Sequence, residues 1–103
     1  MSVLLEFAMF PTDKGGSVSQ YVSRVIKMIK EDCESYKLTA MGTIIETSTL
    51  EEALNIVTKA YKILEKDSDR VYSSIKLDIR KNKDNRLDGK IKSIEDKIGK
   101  VNS

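Results

Sequence analysis

From Val3 to Phe10 the chain is apolar except at Glu6, and Pro11 followed by Thr12-Asp13-Lys14-Gly15-Gly16 closes the run. A short apolar run stopped by turn residues predicts a buried strand. At Ser17 the period changes. Val18, Tyr21, Val22, Val25, Ile29 and Cys33 recur at helical spacing, with Arg24, Lys27, Lys30 and Glu31 between them. This predicts an amphipathic helix with Ser17 as its N-cap. Tyr36 to Ala40 and Thr43 to Thr47 predict two short strands folded back through Met41-Gly42. Thr49-Leu50-Glu51-Glu52 has the form of a capping box, and Leu50, Ala53, Leu54, Val57, Ala60, Tyr61 and Leu64 supply the stripe of a second helix. Arg70 to Arg80 then alternates: Val71, Ser73, Ile75, Leu77 and Ile79 face one way, and Tyr72, Ser74, Lys76, Asp78 and Arg80 the other. Leu87, Ile91, Ile94, Ile98 and Val101 form a narrow stripe for a terminal helix along a surface, weakened by Gly89 and Gly99.

The order β-α-β-β-α-β plus a helix predicts an α+β, ferredoxin-like sandwich: a four-stranded antiparallel sheet, two helices on one face and a C-terminal helix. Residues 1–103 are read as one such domain. Right-handed crossovers are expected to place the first and last strands side by side at the centre. Strand parity sends Leu5, Phe7 and Met9 under the helices and leaves Leu4, Glu6, Ala8 and Phe10 on the open face, with Ile44, Glu46 and the Tyr72–Arg80 set. Leu4, Ala8, Phe10, Ile44 and Tyr72 are poorly matched to water. At about 25 cal/mol per Å², covering them contributes several kcal/mol per chain, so a second subunit is expected over this face, wholly or partly.

Composition narrows the chemistry. Histidine is absent, which excludes a Ser-His-Asp triad, a Cys-His pair and any histidine-ligated metal within the chain. Binding or a structural role is favoured over catalysis. Cys33 is the single cysteine, and the first residues carry no basic, apolar leader; both point to a reducing cytoplasm. No apolar run is long enough for a membrane span. The net charge of +2 is too small to imply nucleic acid, although residues 1–69 carry −3 and residues 70–103 carry +5.

Glu6, Glu46, Lys76, Asp78 and Arg80 fall on the open face, where a covered charge needs a partner. They pair with one another, or some are held for a cationic or hydrogen-bonding ring. Lys14-Gly15-Gly16-Ser17 opens a helix where free N–H groups suit anions, but it lacks a phosphate-loop spacing. Acidic neighbours Glu31, Asp32 and Glu34 make Cys33 a packed thiol rather than a nucleophile. Tyr21 and Tyr61 read as core, whereas Tyr72 on the open face can stack on a heteroaromatic ring.

Three blocks resemble the small thiamine-binding-protein family, related to the YkoF-like binders of thiamine and hydroxymethylpyrimidine. They are Pro11 with the glycine-rich loop and Ser17-Val18-Ser19-x-Tyr21-Val22; Gly42-Thr43-x-Ile45-Glu46; and Arg70-Val71-x-x-x-Ile75-Lys76-x-Asp78-x-Arg80. The resemblance implies a ferredoxin-like subunit assembling through its sheet into homodimers and commonly homotetramers. It also implies non-catalytic binding of thiamine or its pyrimidine moiety near a subunit interface, without a cofactor. Thr43, Glu46, Lys76, Asp78 and Arg80, with Ser17 and Tyr21, are the implied ligand-binding residues. Ala40 and Thr47 depart from the family's frequent Pro before Met-Gly and Gly after the Glu, changing the hairpin and the strand exit. An aminopyrimidine offers an amino donor to Glu46 and ring acceptors to Thr43 or Ser17; a thiazolium cation suits an aromatic face or a carboxylate. The alternatives are a structural or regulatory oligomeric module that binds another small metabolite, as ACT domains do, an RNA-binding module of the same topology, and an enzyme using Lys76 beside Asp78. The RNA reading lacks the aromatic residues such a module needs on its central strands.

Overall fold

A computed structural model describes residues 1–103. The elements are β1 (Ser2–Pro11), α1 (Ser19–Asp32), β2 (Tyr36–Leu38), β3 (Thr43–Thr47), α2 (Leu50–Glu65), β4 (Val71–Arg80) and α3 (Arg86–Ile98). The sheet has the antiparallel order β2-β3-β1-β4, the expected ferredoxin-like arrangement. β1 and β4 are neighbours as expected, but the centre belongs to β1 and β3, and β4 is an edge. The crossovers fix which strands are adjacent; β4 ends outermost because β3 already occupies the other flank of β1.

Alternation along β1 works as read. Val3, Leu5, Phe7 and Met9 are buried beneath the helices and join Val25, Ile29, Ile45, Ala53, Ile56, Ala60 and Leu64 in one core. Each fully buried large aliphatic side chain there contributes about 1.5–3 kcal/mol. Tyr21 packs against this core, but Tyr61 is nearly half exposed, and Ile56, which the stripe omitted, is buried instead. The α2 face in contact with the sheet is thus rotated toward Ile56 and away from Leu54 and Tyr61.

Local chemistry explains the element ends. Thr49 caps α2 by accepting the Glu52 N–H at 3.1 Å, and its hydroxyl donates to the Glu52 carboxylate at 3.2 Å. Ser17 does not cap α1: the helix starts at Ser19, with Val18 at the N-cap and no side-chain bond. β2 is shorter than expected because Thr39 turns the chain. Its Oγ1 accepts the N–H groups of Met41 and Gly42 and donates to the Gly42 carbonyl. Gly42 is needed there, since a Cβ would sit 3.0 Å from the Phe7 carbonyl oxygen.

The terminal helix is anchored at one end only. Arg86 and Leu87 are buried, whereas Ile94 and Ile98 are exposed. The molecule accordingly spans 45 Å in its longest direction, with a radius of gyration of 14.9 Å against about 13 Å for a compact chain of this length.

Candidate functional site

β1, β3 and β4 carry the open face, and their register puts the charged residues in rows. Glu6 lies opposite Lys76, Leu4 lies between Glu46 and Asp78, and Ser2 lies opposite Arg80. Lys76 Nζ is 3.6 Å from Glu6 Oε1 in an exposed pair. The Phe10 and Tyr72 rings, also opposite each other, meet at 5.6 Å between centroids.

One row further along, the start of α3 closes over the sheet. Glu46 Oε2 accepts the Ser2 hydroxyl at 2.5 Å and the Arg86 N–H at 2.9 Å, while Oε1 accepts the Leu87 N–H at 2.9 Å. Burial alone would raise the Glu46 pKa; the bonds from Ser2, Arg86 and Leu87, with the Arg86 charge, outweigh it and hold the carboxyl below its ordinary value. Buried Arg86 in turn donates to Ser2 Oγ, to the carbonyls of Ser2 and Asp78 at 2.8 and 2.6 Å, and pairs with Asp78 Oδ2 at 3.0 Å. Its fork joins β1, β4 and α3, a task a lysine could not perform.

The seven residues implied by the resemblance divide into two groups. Glu46, Lys76, Asp78 and Arg80 share the open face. Thr43 lies opposite Phe7 and is buried on the helix side, lining an apolar cleft of about 260 Å³ with Val18, Val22, Val25 and Met41. Ser17 stands exposed just before that cleft, and Tyr21 lies on α1 with the Arg24 guanidinium 5.3 Å from its ring centre. The two groups do not meet within one chain.

Glu46 also borders a larger cleft of about 730 Å³ at the end of the sheet where α1 stops and α2 begins. Asp32, Glu34, Glu52 and Asp84 line it, opposed by Lys59 and the N-terminal ammonium. Lys59 is already paired with Asp32 at 3.1 Å, and the ammonium with Asp84 at 3.4 Å. The cleft therefore favours a cation. Ser2 and Arg86 are the residues that sequence reasoning missed, since they are 84 positions apart and no local pattern joins them.

Fold and site together define a ferredoxin-like α+β protein whose charged open face adjoins an acidic, small-molecule-sized cleft. The model of the thiamine-binding protein family matches residues 5–95, and the chain belongs to that family. It is 39% identical over 92 residues to the UPF0045 protein MJ1052 of Methanocaldococcus jannaschii, covering 89% of this chain and 91% of that one. A crystal structure of that archaeal protein superimposes with a TM-score of 0.79 at 38% identity, covering 90% of this chain and 95% of the other. A Thermotoga maritima protein, provisionally assigned to thiamine biosynthesis or salvage, shares the fold with a TM-score of 0.78 at 18% identity, covering 91% of this chain and 99% of that one. No helix is long and apolar enough to cross a membrane.

Proposed function

We propose that this protein binds thiamine or its hydroxymethylpyrimidine moiety without catalysis, as a cytoplasmic homo-oligomer with the ligand near a subunit interface. The observation that carries the reading is the acid-lined cleft beside Glu46. Its volume of about 730 Å³ falls within the range of roughly 300–1,000 Å³ usual for small-molecule sites. A thiazolium is a fixed cation, so its attraction to such a lining persists at all pH values where the carboxylates are ionised. Glu46 is the anchor, with Lys76, Asp78 and Arg80 flanking it on the open face; Thr43, Ser17 and Tyr21 contribute from the other group, for which a second chain is required. Family membership supports the ligand class. The exposed Tyr72 ring, set against half-buried Phe10 on the open face, supports a covering subunit.

Calorimetry with thiamine and with hydroxymethylpyrimidine tests this. Saturable heat is expected, reduced at least tenfold in affinity by Glu46→Gln while the fold is kept. No heat and no thermal shift with either compound at millimolar concentration defeats the proposal.

A structural or regulatory module binding another small metabolite is favoured by one observation: Glu46 already accepts three bonds from its own chain. Heat with a different metabolite, and none with thiamine, would select it.

A further inference from the structure

Glu46 faces two ways. It lines the acidic cleft with Asp32, Glu34, Glu52 and Asp84, and both of its oxygens are held by the first residues of α3. Asp84 and Asn85, in the link from β4 into that helix, form part of the cleft wall, whereas Arg86 and Leu87 lie outside it. The ligand site and the start of α3 therefore share one carboxylate.

The docked helix makes that carboxylate a poor anchor for a cation. Two main-chain N–H groups and the Ser2 hydroxyl donate to it, and the Arg86 guanidinium, which donates to Ser2 Oγ at 3.2 Å, sets a positive charge behind it. A cation in the cleft meets a charge already answered from within the chain, and the like charge of Arg86 opposes its approach. With α3 undocked, the two N–H groups and the guanidinium leave, only Ser2 remains, and Glu46 turns its charge on the cleft. A cation thus binds the undocked form better, which is the condition for a ligand to shift a conformational equilibrium.

The helix is also lightly held. Of its apolar stripe only Leu87 is buried, while Ile94 and Ile98 are 39% and 73% exposed. Beyond the first residues its link to the sheet is the Lys37–Asp88 pair at 2.9 Å, largely exposed at Asp88 and so of little worth. Asn85, at the hinge, is the one non-glycine residue with a positive φ, a left-handed conformation that undocking relaxes.

We propose that α3 is a displaceable plug on the ligand site: a cationic ligand in the cleft and the docked Arg86–Leu87 segment compete for Glu46, so that binding releases the helix. The proposal rests on the reading of the cleft as a site for a thiazolium-type cation and adds a regulation to it. Release uncovers Leu87 and frees the rest of the helix, so that occupancy of the cleft is reported at the surface. The coupling is reciprocal: what holds α3 down weakens the ligand, and what loosens α3 tightens it by the same factor.

Amide exchange of the native protein with and without saturating thiamine tests this, and it needs no variant. Thiamine should speed exchange at Arg86, Leu87 and the following turns of α3 by about fivefold or more, the lower end of usual coupling, and leave β1 and β4 protected. Calorimetry on Arg86→Ala and on Leu87→Ala gives the reciprocal reading, since neither residue lines the cleft. Each variant that circular dichroism shows to be folded should bind thiamine about fivefold or more tightly than the native chain; a merely structural role for these residues predicts equal or weaker binding. Unchanged or slower exchange at Arg86 and Leu87 with thiamine bound, or no gain in affinity in a folded variant, overturns the plug and leaves thiamine binding standing. No heat from the native chain or from either variant defeats the thiamine reading and the plug together.

Discussion

Glu46, in the strand β3, caps a helix that begins forty residues later: its Oε2 accepts the Arg86 N–H at 2.9 Å and its Oε1 the Leu87 N–H at 2.9 Å. The residue at the helix's own N-cap, Asn85, is left-handed, with φ 53°, and its side chain makes no capping bond. A carboxylate at this point satisfies two free donors and meets the positive end of the helix dipole. The carboxylate proposed to anchor the ligand therefore also carries a structural duty.

Glu46→Ala removes the acceptor for the Ser2 hydroxyl and two main-chain N–H groups. We expect a loss of about 1–3 kcal/mol in denaturant unfolding and faster amide exchange at Arg86 and Leu87. Exchange at those two amides equal to the native rate would contradict the capping role.

Acid should act through the same carboxylate. Its folded pKa is depressed below the ordinary 4.5, so the unfolded chain binds the proton more readily. The stability it contributes is whole above about pH 4.5 and is lost as pH falls through the folded value. The gap in stability between the native protein and Glu46→Gln should be largest near neutrality and narrow on acidification. Asp13, held low first by the Asp69 N–H at 2.7 Å, titrates in the same direction, so the comparison is best made in an Asp13→Asn background.

Arg86→Lys keeps the charge but not the fork. The carbonyls of Ser2 and Asp78 and the Ser2 hydroxyl lose a shared donor, and a loss of about 1.5–3 kcal/mol is expected. The loss should be accompanied by loosening of α3 while β1 and β4 stay paired. Thermal melts and exchange at Leu87 report it; a melt unchanged by the substitution would remove Arg86 from this role.

Burial raises the Cys33 thiol pKa, reinforced by Glu34 and Glu52, with the contact to Ser35 working the other way. Iodoacetamide at pH 8 should modify it well below the rate for an unstructured cysteine, and denaturant should restore that rate. Equal rates in both states would refute the buried, protonated thiol.

Gly42→Ala brings a Cβ within 3.0 Å of a backbone oxygen that belongs to the central strand and cannot swing aside. A loss of about 1–3 kcal/mol follows from such crowding. An unfolding midpoint matching the native one would mean that the turn relaxes freely.

Much of this was legible in the sequence where the signal was periodic. The odd residues of β1 are buried and the even ones lie on the open face, as alternation required, and Thr49 caps α2 as its spacing with Glu52 suggested. Periodicity assigns a residue to a face but says nothing of the neighbour beside it. Ile75, Leu77 and Ile79 have the pattern of buried residues yet stand half exposed, because β4 is outermost and the helices do not cover it. The Thr43 and Glu46 positions are three apart in sequence, and strand geometry sends them to opposite faces. Arg86 carried no signal in the sequence, because its partners, Ser2, Glu46 and Asp78, come from three separate strands.

The place of β1 between β3 and β4 also sets a timetable. The first strand to leave the ribosome waits for its inner neighbour until Thr47 has emerged and for its outer one until Arg80 has done so. The nascent chain thus carries an apolar ribbon that is unflanked until Thr47 emerges and flanked on one side only until Arg80 does, and its closure waits on pairings distant in sequence, a stage at which exposed apolar strands are prone to associate.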